Sequence, residues 1–297
     1  MEPMYLNYFT RDESFPFFIQ YGHHESDLLM HYHADFSELV IVMNGTAMHH
    51  VNHDSYFIKK GDVFVLGHDV AHGYEDTNQL QICNVMFQPN FLQNSEYDIR
   101  QLTGFHALFV LEPYLTKNNE FQSHLSLNLQ QFEEIHKLTD LMVQEYHSNA
   151  PGRITLLSSY FMVLVTKLSR FYHLPEKENI ENVMNIAKSV SYMESNFTDT
   201  ISLDTLASMS NLSTRHFTRL FTATYHMTPG NYLLSLRMQY ACHLLLSEND
   251  TISEIALKCG YSDSNYFSRQ FHKFYGASPR EYRQLAAASK HSVKFAQ

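Results

Sequence analysis

Apolar and polar positions change their period twice along this chain. Over residues 1–100 the apolar runs are short: Phe36 to Met43 alternates and then becomes continuously apolar, and Met48 to Val51, Tyr56 to Ile58, Asp62 to Leu66 and Gln81 to Phe87 follow. Asn44-Gly45, Asn52-His53-Asp54, Lys60-Gly61 and Thr77-Asn78 punctuate them. Short strands between such turn residues predict a sandwich or a barrel. Beyond residue 100 the period becomes helical. Leu125 to Tyr146 carries apolar residues at 125, 129, 132, 135, 138, 142 and 146, and Ile154 to Phe171 at 154, 157, 161, 164, 168 and 171. Each is a one-sided stripe. Pro151-Gly152 between them predicts an antiparallel helix hairpin. The polar stretch His173 to Asn179 then reads as a linker.

The last third repeats itself. In Thr251 to Arg283, Ile252, Ile255 and Ala256 recur at helical spacing, and Gly260 follows Ala256 by four residues. A helix must end there with a positive φ, which glycine adopts without strain. Ser262 then caps a second helix that buries Tyr266 or Phe267, then Phe271 and Phe274, and Pro279 opens a third. The same order occurs upstream. Leu203 to Ala207 aligns with Ile252 to Ala256, Asn211 stands for Gly260, Ser213 for Ser262, and Phe217 to Phe221 for Phe267 to Phe271. Pro229 and Tyr232 match Pro279 and Tyr282; the offset is 49 residues before the turn and 50 after it. Asparagine is the usual substitute for glycine in a left-handed turn. Between the copies, Tyr232 to Leu246 is an unbroken helical run. Helix, tight turn and second helix outline a helix-turn-helix, whose second helix enters a DNA major groove.

Length and charge narrow this only a little. The 297 residues suit two domains, and 44% apolar content is ample for their cores. No run approaches the ~18 consecutive apolar residues of a membrane span. The first residues lack the basic-then-apolar order of a signal peptide. Cys83, Cys242 and Cys259 show no ligand spacing, which favours reduced thiols in a cytoplasm. The net charge of −10 seems wrong for a DNA binder, but it is uneven. Residues 181–297 hold 11 Lys and Arg against 9 Asp and Glu, net +2, whereas residues 1–180 hold 10 against 22, net −12. Phosphate contact must therefore rest on a few placed cations and on helix N-termini.

One stretch of the β region carries candidate chemistry: His31-Tyr32-His33, four residues, Glu38, six residues, Gly45, and further on Gly61-Asp62-Val63-Phe64-Val65 leading to His72. Two imidazoles one residue apart share a strand face. With a carboxylate and a third imidazole they could complete a divalent-metal site. The same groups could instead hydrogen-bond sugar hydroxyls, or line the barrel as structural polar residues. Tyr21, Phe36 and Tyr74 are weaker candidates for the same site. His49, His50, His53 and His68 lack the spacing, and among 19 histidines most must be ordinary.

The stretch Val183 to Arg283 resembles the DNA-binding domain of the AraC/XylS family of bacterial transcription regulators, and "ISEIALKCGYSDSNYFSRQFHKFYGASPREYR" matches nearly every position of its signature. Residues ~20–90 resemble the cupin sensor found at the N-terminus of many such regulators. The second cupin motif departs from pattern, with Gly67-His68-Asp69 where a proline is usual. "FSELVIVMNG", "GDVFVLGHDVAHGYEDTNQL" and "NVMFQPNFL" are most similar to the rhamnose-responsive regulators, which implies a sugar effector.

The resemblance implies an α+β chain: a cupin-type β-barrel (1–100), a helical hairpin that carries a dimer contact (101–174), a linker (175–182), an all-α domain of seven helices with two helix-turn-helix units (183–286), and a tail (287–297). It implies DNA contacts from Arg215, Thr218 and Arg219 in one reading helix and Ser264, Asn265 and Arg269 in the other. It implies effector contacts from His31, His33, Glu38 and His72, which would be the metal ligands in an enzyme cupin. The expected partners are promoter DNA, RNA polymerase, a small sugar and a second copy of the chain. Two other readings compete: a metal-dependent cupin enzyme with a helical appendage, and a repeat that serves only protein interaction.

Overall fold

The computed structural model describes residues 3–10, 15–92, 98–117, 125–172, 178–247 and 250–285, and the chain divides into two compact units, 1–187 and 188–297. Among the described residues of the first unit, eight strands form one mixed sheet: β1 (Pro3–Met4), β2 (Phe17–His24), β3 (Leu28–His33), β4 (Ser37–Val51), β5 (Asp54–Lys59), β6 (Asp62–Leu66), β7 (Ala71–Phe87) and β8 (Leu125–Ser126). Among the described strands, only β1 and β3 pair in parallel. β4 and β7 are the spine. β4 pairs β6 along its first half and β5 along its second, and it runs beside β7 from Ser37↔Phe87 to Val51↔His72.

Two sequence expectations fail along this spine. Asn44-Gly45 and Thr77-Asn78 do not separate strands, because β4 and β7 run through them. The register shifts between Val42 and Met48, with Gly45 at φ 76°, and Asp76 and Gln79 are left-handed at φ 51°. These are bulges, which bend a strand sharply without ending it. They also reset its face: Glu38, Val40 and Val42 point inward before the irregularity, and Ala47, His49 and Val51 after it. The bent sheet curls around Val40, Val42, Ala47, Val51, Ile58, Phe64, Leu66, Val70, Tyr74, Leu80 and Ile82.

The sheet's other face is covered by helices. A short helix α1 (Thr103–Phe105) passes through a π-helical turn, His106–Leu111, into α2 (Glu112–Lys117). The expected hairpin follows as α3 (Leu129–Tyr146) and α4 (Arg153–Phe171), with Gly152 at φ 84° before the second helix. α3 starts four residues later than the apolar stripe suggests. Leu125 is in β8, paired with Val63, and Asn128 forms a capping box with Gln131. Phe161 of α4 meets Phe17 at 5.2 Å and Phe87 at 5.0 Å. α4 has the length and apolar composition of a membrane span, but its inward residues Leu157, Phe161, Leu164, Val165 and Leu168 are fully buried. The expected linker is half helical: residues 175–177 lie outside the described residues, and α5 (Glu178–Asn196) begins within the rest. The tail, 287–297, lies outside them as well.

In the second unit α5 ends and five helices follow: α6 (Leu203–Met209), α7 (Thr214–Tyr225), α8 (Pro229–Ser247), α9 (Ile252–Lys258) and α10 (Ser264–Tyr275), before a last helix over 279–285. α8 serves both repeats. Its Tyr232 packs edge-on to Phe221 and donates to Glu194. Its Met238, Ala241, Leu244 and Leu245 form one core with Ile255, Ala256, Phe267 and Phe271. Arg237, midway along α8, donates to the carbonyls of Phe197 at 2.6 Å and Asp199 at 2.8 Å. Its guanidinium lies 5.3 Å over Tyr261.

Candidate DNA interface and sensor cluster

Each reading helix is positioned by its cap and its buried pair of phenylalanines. Ser213 caps α7 by accepting from the His216 amide, and Phe217 and Phe221 are fully buried. α10 is capped by Asp263, which accepts from the Asn265 and Tyr266 amides at 2.8 and 3.2 Å; the expected cap, Ser262, lies one residue before it. A carboxylate here serves two orphan amides and suits the positive end of the helix. Phe267 and Phe271 are buried as expected, but Phe274 is 44% exposed. Tyr275, four residues after Phe271, takes the inward place instead, at 4.9 Å from it. Tyr266 is also exposed. The turns behave as read: Asn211 has φ 53° and Gly260 φ 79°.

The outward faces carry the predicted groups unequally. Arg215, Arg219, Asn265 and Arg269 are exposed, and among the described residues none of the three arginines is held in an ion pair. Arg215 and Arg219, four apart, share one face. Arg269 lies 5.9 Å over the Tyr266 ring. Thr218 and Ser264 are half-buried, and the Thr218 hydroxyl donates to the Thr214 carbonyl of its own helix at 2.8 Å. Arg237 and Arg283, by contrast, are tied to backbone carbonyls and brace the fold.

The four predicted sensor residues converge, although they come from three strands. His31 of β3 stands directly opposite His72 of β7, with ring centres 4.2 Å apart. His33, two residues along β3, stacks on Phe36 at 4.3 Å and reaches His72, Nε2 to Nε2, at 3.2 Å. Glu38 Oε2 lies 3.6 Å from His33 Nε2 and 3.7 Å from His72 Nε2. His33, Glu38 and His72 are at most 3% exposed, and His31 forms the half-open edge. Burial governs their protonation. It lowers the imidazoles, His33 to about 3 with help from His31, and His72 well below its ordinary value. It raises the Glu38 carboxyl to about 8. Burial thus favours the neutral form of all four, and their close approaches do not read as ion pairs.

Of the weaker candidates, Phe36 backs His33, and Tyr74 is buried beside the cluster with, among the described residues, no hydrogen-bond partner for its hydroxyl. Tyr21 is misplaced: its hydroxyl donates to Asp140 at 2.7 Å and meets Thr139 at 2.9 Å, so it joins β2 to α3. His49 was missed. It is fully buried, between Phe64 at 4.5 Å and Tyr74 at 4.9 Å, with its ring 5.7 Å from His72. Its signal was the alternation Ala47, His49, Val51, which places it among inward residues.

The model of the AraC-like ligand binding domain matches residues 17–151, and that of a helix-turn-helix domain matches residues 206–285. An HTH-type transcriptional activator RhaS of Enterobacter sp. (strain 638) is 32% identical over 259 residues, covering 87% of this chain and 88% of the relative. Its counterpart in Shigella boydii serotype 18 is 32% identical over 261 residues, covering 88% and 89%. Among solved structures, a transcriptional regulator with an AraC-type DNA-binding domain from Chromobacterium violaceum is 33% identical and covers 35% of this chain and 92% of its own, with a TM-score of 0.33. The curated relatives are regulators, which sets aside the metal-dependent enzyme. Matched along most of its length, the chain belongs to the AraC/XylS family of helix-turn-helix transcription regulators.

Proposed function

We propose that this regulator activates transcription of a sugar-utilisation operon, with the sugar sensed in the barrel and the promoter read by α7 and α10. One observation carries the reading: the same exposed arginine, Arg219 and Arg269, recurs at the same place in two helix-turn-helix units built on one connecting helix. Arginine can bond guanine O6 and N7 together, and Asn265 can do the same for adenine N6 and N7. Arg215 joins them on α7, and Thr218 and Ser264 flank them nearer the packed side. α8 would hold the two readers about one DNA turn, ~34 Å, apart on one face of the duplex.

The sugar reading is supported by the donor and acceptor chemistry of His31, His33, Glu38 and His72, and by the similarity to rhamnose-responsive regulators. His31, at the open edge, is the point of approach. A homodimer is supported by an outward apolar stripe on the hairpin: Leu156 and Val163, two turns apart on α4, are 41% and 42% exposed, and Leu141 on α3 is 46% exposed. Contact with RNA polymerase and a cytoplasmic setting belong to the same reading.

Fluorescence anisotropy with the gene's own upstream DNA, with and without candidate sugars, tests it. Sequence-specific binding that weakens steeply with salt and responds to a sugar is expected. Binding with neither specificity nor salt dependence would favour a protein-interaction role. His33→Ala should abolish the sugar response and leave DNA binding intact; an unchanged response would move the sensor site elsewhere.

A further inference from the structure

One short helix, α2, ties the barrel to the hairpin, and it is fastened at both ends. At its last turn, Asn52 donates through Nδ2 to the Thr116 carbonyl at 2.9 Å. The same side chain accepts from the Ala71 amide at 3.2 Å, and the Asn52 amide donates to the Ala71 carbonyl at 2.7 Å. Ala71 directly precedes His72 of the sensor cluster, and the next pair along the ladder is Val51↔His72. Asn52 thus clamps the start of β7 to α2. The barrel also presses on α2 at Gly67, where a Cβ would stand 3.2 Å from Pro113 Cβ.

At the first turn of α2, Glu112 is 2% exposed, and its Oε1 accepts from the Tyr172 hydroxyl at 2.8 Å. Tyr172 is itself buried and closes α4: its amide donates to the Leu168 carbonyl at 3.0 Å, and the chain runs on from it to the second unit. α1 packs on the same turn, since a Cβ on Gly104 would overlap the Ser169 carbonyl. Burial pushes the Glu112 carboxyl well above its ordinary value, and the Tyr172 bond opposes that only in part. A buried carboxyl is costly, and an apolar pair would fill the same volume without that cost. Stability alone does not account for the pair. The turn before it is unusual too. The Glu112 amide donates to the Ala107 carbonyl, five residues back, at the end of the π-helical turn His106–Leu111. Such turns are rare, carry one residue more than an α turn, and often mark functional sites. Relaxation of this one into α-helix would rotate α2 against α1 by about 100°, the angle of one residue, and withdraw Glu112 from Tyr172.

We propose that Asn52, the π turn and the Glu112–Tyr172 bond form a switch that passes the state of the sensor cluster to the end of α4, and so to the reader. In one state α2 is docked on Asn52 and holds Tyr172, as in the structure. In the other the π turn has relaxed and the bond is broken. An effector that bears on the start of β7 favours one state through Asn52; coupling requires such a difference in affinity. The joint stands on the contacts described; its response to a sugar rests on the sensor reading above. Glu112 and Tyr172 are positioning residues, acting through α2 and α4 rather than on effector or DNA.

The experiment uses the full-length chain and three variants. Asn52→Gly keeps the left-handed turn and loses the side chain, Tyr172→Phe loses one hydroxyl, and Glu112→Gln keeps an acceptor for Tyr172. Hydrogen exchange is followed by mass spectrometry, and affinity for the gene's own upstream DNA by anisotropy, with and without L-rhamnose and other neutral monosaccharides. Asn52→Gly should speed exchange about tenfold over 103–117 and in the last turn of α4, with the first turns of α4 unchanged. Asn52→Gly and Tyr172→Phe should each change sugar-free DNA affinity by about fivefold, the double variant should match the single ones, and Glu112→Gln should stay close to wild type. An unchanged last turn of α4 in Asn52→Gly, or faster exchange along the whole of α4, overturns the joint. Unchanged DNA affinity in Tyr172→Phe makes the bond merely structural and overturns the switch, whether or not Asn52→Gly folds. A sugar response of the wild type that Tyr172→Phe retains in full overturns it as well. Variants that behave as expected, in a protein whose DNA affinity no sugar alters, refute the sensor reading and leave the joint standing.

Discussion

The two helix-turn-helix copies share a skeleton and one exposed arginine, Arg219 and Arg269, and differ at several other positions that face outward. Each buries two phenylalanines four residues apart, each turns through one left-handed residue, and each ends on a proline that opens the next helix. Yet Arg215 on the first reader answers to Asn265 on the second, Ser213 caps one where Asp263 caps the other, and Asn211 turns one where Gly260 turns the other. Packing dictates the skeleton, because a changed core residue is felt by all its neighbours. The outward face of each second helix packs against no core, so its residues can change without refolding, which on the proposed reading lets the copies read different bases.

The turns separate the copies most. A Cβ on Gly260 would lie 2.1 Å from the Thr198 carbonyl oxygen, in addition to the strain of φ 79°. Gly260→Ala should therefore destabilise the second unit by about 3 kcal/mol or more. Asn211→Ala should cost only about 1 kcal/mol, since asparagine already tolerates the conformation without such an overlap. Denaturation of the full chain followed by circular dichroism would show this, and equal losses would erase the difference.

The arginines come next. Arg219→Ala and Arg269→Ala should each lower specific DNA affinity by about 1–3 kcal/mol and relax preference at a different base pair. Gel-shift titration against single-base operator variants reads both effects, and unchanged affinity for either variant would remove that residue from the interface. The caps are smaller. Asp263→Ala and Ser213→Ala should each cost about 1 kcal/mol of stability, with Asp263 the more damaging because it serves two amides.

The smallest difference is in pH dependence. Glu254 completes a capping box with Thr251 at the start of α9, whereas Ser202 caps α6 without a carboxylate partner. Hydrogen bonds from Thr251 hold the Glu254 carboxyl below its ordinary value. A depressed carboxylate binds its proton less readily folded than unfolded. Its contribution is therefore complete above the unfolded value of about 4.5 and fades as pH falls through the folded one. Glu254→Gln should flatten the acid limb of the stability profile; an unaltered limb would assign it to other carboxylates.

The readers were legible from sequence because their signals are local. Caps, a positive-φ turn and a 3.6-residue period operate within a few neighbours, and their repetition 49–50 residues apart removed chance as an explanation. The errors there were local too: Asp263 displaced Ser262 as cap, and Tyr275 displaced Phe274 from the core. The strands were harder. Asn44-Gly45 and Thr77-Asn78 look like hairpin turns, but in β4 and β7 they are bulges within strands whose many cross-strand bonds hold the pairing across them.

What the sequence determined by itself was thus the duplicated reader, its turns and the identity of four convergent polar residues. Tertiary structure alone decided how closely those four meet, that His49 lies behind them, and that Tyr21 belongs to the hairpin contact. The reason is the reach of the forces. Helix signals act between residues three or four apart, whereas a barrel's interior is set by strands tens of residues apart, and each bulge exchanges inside for outside in a way no single run of residues records.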